Sequence, residues 1–91
     1  MANVIVTLKA RLETPDTDVK VVKGQMHDEI EDFGGRSARF EVEPIAFGLK
    51  AINVVFVLDE EKGNLDPLED RIRDIDGVSS VEIEDMRRAI G

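Results

Sequence analysis

The sequence predicts an α+β domain of element order βαββαβ, a four-stranded antiparallel sheet of strand order 4-1-3-2 with two helices on one face. Three observations predict it. Four stretches alternate or run apolar as strands do. Two stretches carry apolar residues at spacings of three and four, as helices do. The two kinds follow one another as strand, helix, strand, strand, helix, strand. That order is the split-βαβ, ferredoxin-like pattern, in which both helices pack on the same face of the sheet. A chain of 91 residues holds one domain, spanning 1–91.

The first strand sets Val4, Val6, Leu8, Ala10 and Leu12 on one face and Ile5, Thr7, Lys9 and Arg11 on the other. Pro15 ends it. Asp16 or Thr17 is expected to cap the first helix by accepting from its free N–H groups. Val19, Val22, Met26, Ile30 and Phe33 then form one apolar stripe, and Gly34-Gly35 is expected to stop the helix. The second strand sets Ala38, Phe40 and Val42 against Arg39, Glu41 and Glu43, and its pairing should weaken at Pro44, which has no N–H to donate.

Ala51 to Leu58 is the most apolar run. Ile52, Val54, Phe56 and Leu58 share one face; Ala51, Asn53, Val55 and Val57 share the other. Apolar character on both faces marks a central strand. A charged loop, Asp59 to Asn64, follows. Asp66 is expected to cap the second helix, with Pro67 at the first helical position and Glu69 completing a capping box. Leu65, Leu68, Ile72 and Ile75 give its buried stripe, and Gly77 its stop. Val81 and Ile83 alternate with Glu82 and Glu84 in the last strand, which runs out in Met86-Arg87-Arg88-Ala89-Ile90-Gly91. The open face of the sheet should carry Ile5, Thr7, Lys9, Asn53, Val55 and Val57, a mixed surface that a partner could cover in part.

Acidic residues outnumber basic ones, 20 to 12, for a net charge of −8. That disfavours sequence-independent nucleic-acid binding, which needs a basic footprint, and binding to an anionic membrane. The absence of cysteine excludes disulfides, thiol catalysis and Cys-ligated zinc, and a single histidine excludes a multi-histidine metal centre. The first residues read as a strand rather than a signal peptide. No apolar stretch approaches the ~20 residues of a membrane span. A cytoplasmic location is expected.

No catalytic constellation stands out, so the chain is expected not to be an enzyme and to carry no cofactor or metal. His27 has no nucleophile or second histidine tied to it by spacing. Ser79-Ser80 read as a turn. Asp74-Ile75-Asp76-Gly77 lacks the remaining ligand positions of a calcium loop. Asp66, Asp70, Asp74, Asp76, Glu82 and Glu84 could gather at one edge, as a solvated acidic face rather than a cation site. Gly34-Gly35 lacks the glycine spacing of a phosphate loop. The open face has no aromatic residue on either central strand with which to stack RNA bases.

One segment resists a bland reading: Glu43-Pro44-Ile45-Ala46-Phe47-Gly48-Leu49-Lys50. It stands where a polar turn would serve, and it carries a large ring between a stiff Pro44 and a flexible Gly48. Two readings stay open. Phe47 is a plug folded back on the sheet end, or it is displayed as part of a contact surface. Lys50 is most simply a solvated strand residue.

This segment resembles the Pro-Ile/Val-Gly/Ala-Phe/Tyr-Gly-Ile/Leu-Lys signature of the translation elongation factor 1-beta family. Gly63-Asn64-Leu65-Asp66 with Leu68-Glu69-Asp70 looks like that family's Gly-Thr-Asp-Met/Leu-Leu-Glu-Glu stretch, and the ending Val81-Glu82-Ile83-Glu84-Asp85-Met86-Arg87-Arg88 looks like that of its archaeal form. The likeness covers nearly the whole chain. It implies the ferredoxin-like fold and guanine-nucleotide exchange on elongation factor 1-alpha, the GTPase that carries aminoacyl-tRNA to the ribosome. The partner would be bound in its GDP form or free of nucleotide, by a protein that is itself a monomer when free.

Carried over, Phe47 would wedge into the GTPase, with Pro44, Ile45, Ala46 and Gly48 shaping its loop and Lys50 making a polar contact. Ala46 replaces a glycine common in the family. Eukaryotic relatives use a lysine near the extreme C-terminus that falls near Gly91 here and is unmatched; Arg87 and Arg88 are the nearby cations. Two other readings share the fold rhythm. An ACT-type module would bind an amino acid at a glycine-bearing first loop, but Glu13-Thr14-Pro15-Asp16 has no glycine. An acylphosphatase-like enzyme would need an arginine and an asparagine that are not correctly placed.

Overall fold

The computed structural model describes residues 2–62 and 64–89. Period-two alternation gives strand β1, Asn3–Leu12, followed by helix α1, Val19–Phe33, and strand β2, Arg36–Pro44. Strand β3, Lys50–Asp59, helix α2, Asp66–Arg73, and strand β4, Val78–Ala89, complete the chain. The sheet order is β2-β3-β1-β4, all neighbours antiparallel, with the two most apolar strands in the centre as expected. Among the described residues no helix is long and apolar enough to cross a membrane.

The core lies between the sheet and the helices. Val6, Leu8 and Ala10 of β1 and Ile52, Val54 and Phe56 of β3 are fully buried against Val22, Met26 and Ile30 of α1 and Leu68 and Ile72 of α2. These are the predicted stripes, with Val19, Phe33 and Ile75 packed at their margins. Phe40 and Phe56 both belong to this side, so the open face carries no ring. The molecule is drawn out along its strands and measures 42 × 20 × 18 Å.

Several expectations at element ends are corrected. The cap of α1 is neither Asp16 nor Thr17 but Asp18, whose carboxylate accepts from Lys20 N at 3.0 Å and Val21 N at 3.3 Å. Thr14 and Thr17 instead bond to one another across the preceding turn. Gly34 does stop α1, with a left-handed φ of 107°. In α2, Asp66 lies inside the first turn rather than capping it, and no side chain caps this helix. Asn64 Oδ1 accepts from Asp66 N at 3.2 Å and turns the chain into the helix. The helix ends at Arg73, so Gly77 shapes the turn into β4 rather than the helix stop.

Strand β4 begins earlier than the alternation predicted. Ser80 is a strand residue paired with Arg11, not a turn. The strand also contains a bulge. Leu8 faces Ile83 but Thr7 faces Asp85, which leaves Glu84 as an extra residue. The bulge returns Met86 to the row of Val6 and sets Arg87 opposite Ile5. Gly91 lies outside the described residues.

The carboxylates expected at one edge do not gather. Among the described residues no three acidic or histidine side chains could hold a metal ion. Asp70 bonds Arg73 and Glu82 bonds Arg11. His27 sits half-buried on α1, 3.4 Å from Glu31 and 6.2 Å from the Phe40 ring.

Replacing Asp18 by Ala should lower unfolding stability by about 1 kcal/mol, the usual worth of an N-cap. Asp16→Ala should change it by less than about 0.5 kcal/mol. Urea denaturation of both variants measures the difference.

Candidate partner-binding site

Strand β2 ends at Pro44 and β3 starts at Lys50, leaving five residues to reverse the chain. Ile45 stays extended and its N–H donates to Leu49 O at 2.8 Å. Inside that closure, Leu49 N–H donates to Ala46 O at 3.2 Å. The two residues between are both left-handed, Phe47 at φ 64° and Gly48 at φ 76°. This is the primed hairpin turn, whose twist matches antiparallel strands and whose first central position favours Asn, Asp or Gly. Here that position holds phenylalanine.

A non-glycine residue in this region costs roughly 1–2 kcal/mol, because its Cβ crowds the following carbonyl. Phe47 gains nothing from the core in return, since 93% of it is exposed. The plug reading is thereby overturned: the ring stands off the end of the sheet in water. Gly48 leans on the neighbouring β1–α1 loop, where a Cβ at position 48 would lie 3.8 Å from Pro15. At this residue a strained backbone and a displayed aromatic ring coincide, and neither adds to stability.

The other predicted residues divide between two places. Pro44, Ile45, Ala46 and Gly48 form the turn around Phe47, and Lys50, exposed at the start of β3, has no ion-pair partner among the described residues. Arg87 and Arg88 are not part of this group. They pair with Ile5 and Val4, and Ile5 pairs in turn with Val57, so they sit toward the far end of the sheet. Seven residues separate Lys50 from Val57, roughly 23 Å of strand. Arg87 Nε bonds Asp85 at 2.6 Å and Arg88 bonds Glu60. Exposed pairs of this kind are worth about 0–1 kcal/mol, so either guanidinium can be released to another surface at small cost.

The sequence reading missed a network on the open face behind the turn. Lys9 reaches from β1 across β3 to Glu43 of β2, Nζ to Oε1 2.8 Å, and its side chain is only 14% exposed. Asn53 Nδ2 donates to the other Glu43 oxygen at 3.4 Å, while Asn53 Oδ1 is buried without a partner. Glu84, the bulge residue, lies 3.9 Å from Lys9. The hydrogen bond to Glu43 holds the Lys9 ammonium above the usual lysine range, and the same bond holds the Glu43 carboxylate below the usual carboxylate range. The carboxylate's contribution is lost only as pH falls through its lowered folded pKa, and the lysine's only as pH rises through its raised one. The pair is intact across neutral pH. A lone lysine in the middle of a central strand was the signal available in the sequence.

A sequence model of the EF-1 guanine nucleotide exchange domain matches residues 5–89 of the chain. The chain belongs to that family. Elongation factor 1-beta of Methanothermobacter thermautotrophicus is 36% identical over 88 residues, covering 97% of this chain and 98% of the relative. The protein of the same name from Staphylothermus marinus is 36% identical over 89 residues, with the same coverage. Among solved structures, the ACT domain from the GTP pyrophosphokinase of Chlorobium tepidum superimposes with a TM-score of 0.54 at 23% identity, over 89% of this chain and 97% of that one. This last likeness is one of fold alone. The function of the exchange domain follows from its family: it is a nucleotide exchange factor of translation elongation.

Replacing Phe47 by Gly should leave stability unchanged or raise it by up to about 1 kcal/mol, because the left-handed backbone is then unstrained while glycine's extra chain entropy offsets part of the gain. A thermal melt of the variant checks this, and a marked loss of stability would contradict the strained-display account.

Proposed function

We propose that this chain promotes GDP release from elongation factor 1-alpha by inserting Phe47 into the GTPase. The observation that carries the reading is the ring itself, held outside the core on a backbone that penalises it. Phenylalanine brings a large apolar area with few rotamers to freeze, which suits an interface hot spot. Pro44, Ile45, Ala46 and Gly48 give the turn its shape, and Lys50 supplies a charge beside it.

The thermodynamics is linkage. A partner that prefers the nucleotide-free GTPase to the GDP form weakens GDP by the same factor. Abundant GTP then fills the vacated site. Arg87 and Arg88, at the far end of an elongated domain, would form a second contact on the same GTPase, and two separated contacts are well placed to favour one arrangement of the partner over another. In this reading the chain acts in the cytoplasm, as a monomer when free, and binds neither nucleotide nor nucleic acid itself.

The test is the release of a fluorescent GDP analogue from a matched archaeal elongation factor 1-alpha, chased with excess GTP. Substoichiometric wild-type chain should accelerate release. Phe47→Ala should cut the acceleration by roughly 30-fold or more, as loss of a ≥2 kcal/mol hot spot requires, with its far-UV spectrum unchanged. Acceleration equal to wild type would remove Phe47 from the mechanism.

A further inference from the structure

We propose that Lys9 is a positioning residue for nucleotide exchange: its bridge to Glu43 fixes the strand stem from which Phe47 is displayed. The inference rests on the exchange reading above and extends it to a side chain that does not touch the partner. The hairpin register fixes where the turn begins and ends, and a contact from outside the hairpin can fix its direction. A left-handed phenylalanine persists only where its surroundings over-determine it, and the ring has no packing to hold it. Pro44 still pairs with Lys50, its nitrogen turned to the solvent side of the edge strand, and beyond it only backbone bonds close the turn. Glu43 is the last polar side chain of β2 before that turn.

Lys9 supplies that contact from two strands away, a span of roughly 10 Å at ordinary strand spacing. Its path is open because Ala51 lies opposite Glu43 on the intervening strand, with only a methyl group to pass over. The Glu43 carboxylate is held on both oxygens, by Lys9 at 2.8 Å and by Asn53 at 3.4 Å. Lysine is seldom this sheltered. Apolar side chains at positions 9 and 53 would avoid the desolvation of the ammonium and the unsatisfied Asn53 oxygen. The pair stabilises the fold by no more than apolar residues there would, and what it adds is the orientation of Glu43.

The experiment combines Lys9→Met with Phe47→Ala in the GDP-release assay on the full chain. Lys9→Met should retain the native far-UV spectrum and a cooperative melt. It should slow accelerated release about tenfold, within the range over which coupled network residues act. Placed in the Phe47→Ala background, it should cause no further loss, because its effect runs through the ring. Lys9→Arg should recover much of the activity by restoring the charged bridge. Glu43→Gln, which keeps the shape and removes the charge, should reproduce the defect and covers the case in which Lys9→Met fails to fold. Wild-type release rates in both variants would overturn the proposal, as would an undiminished tenfold loss in the Phe47→Ala background. If wild-type chain accelerates nothing, or Phe47→Ala is fully active, it is the exchange reading itself that fails.

Discussion

Strands β1 and β3 lie side by side at the middle of the sheet, and Val6, Leu8 and Ala10 of one and Ile52, Val54 and Phe56 of the other are wholly shut off from water. Each large side chain buried this way contributes about 1.5–3 kcal/mol, and both helices are held by packing on that one surface. Their own ends are lightly secured, α1 by a single Asp18 cap and α2 by one bond from Asp66 N–H to Asn64 Oδ1. A chain this short concentrates its stability in one layer of contacts. What lies outside the layer is free to serve something else.

The turn between β2 and β3 is outside it. Its closing bonds are backbone bonds, its ring is in water, and its first central residue is in a conformation that suits glycine. The exposed ring and the left-handed backbone work against stability, and together they are consistent with a surface kept ready for a partner. The rigid strands on either side make this affordable in structural terms, because the turn's ends are fixed at Pro44 and Lys50 by the same register that builds the core. Function and fold are thus linked through β3, which closes the core with one face and meets the Lys9–Glu43 bridge with the other.

Much of this was legible in the sequence, for identifiable reasons. Period-two and period-3.6 patterns are imposed by burial, so Val6, Leu8, Met26, Ile30, Phe56 and Leu68 announced their own roles and, with element order, the topology. The segment around Phe47 stood out because its composition contradicts its position. What was not legible depends on geometry that no local pattern carries. Asp16, Thr17 and Asp18 are chemically interchangeable caps until the loop from Pro15 fixes which carboxylate meets the free N–H groups. The bulge at Glu84 shows only as an interval of three between Ile83 and Met86, which reads equally as the end of a strand. Whether Phe47 folds back or stands out is decided by two backbone angles. The Lys9–Glu43 bridge joins residues 34 positions apart and exists only once the register is set.

The central claim is that this chain favours the nucleotide-free GTPase through Phe47. Its most direct test is to measure the affinity of the chain for elongation factor 1-alpha twice, once free of nucleotide and once saturated with GDP, for the wild type and for Phe47→Ala. The account predicts tighter binding to the nucleotide-free form by the factor by which the chain weakens GDP, with the gap narrowed in the variant. Equal affinity for the two forms would contradict it, since a ligand that does not discriminate between states cannot shift them.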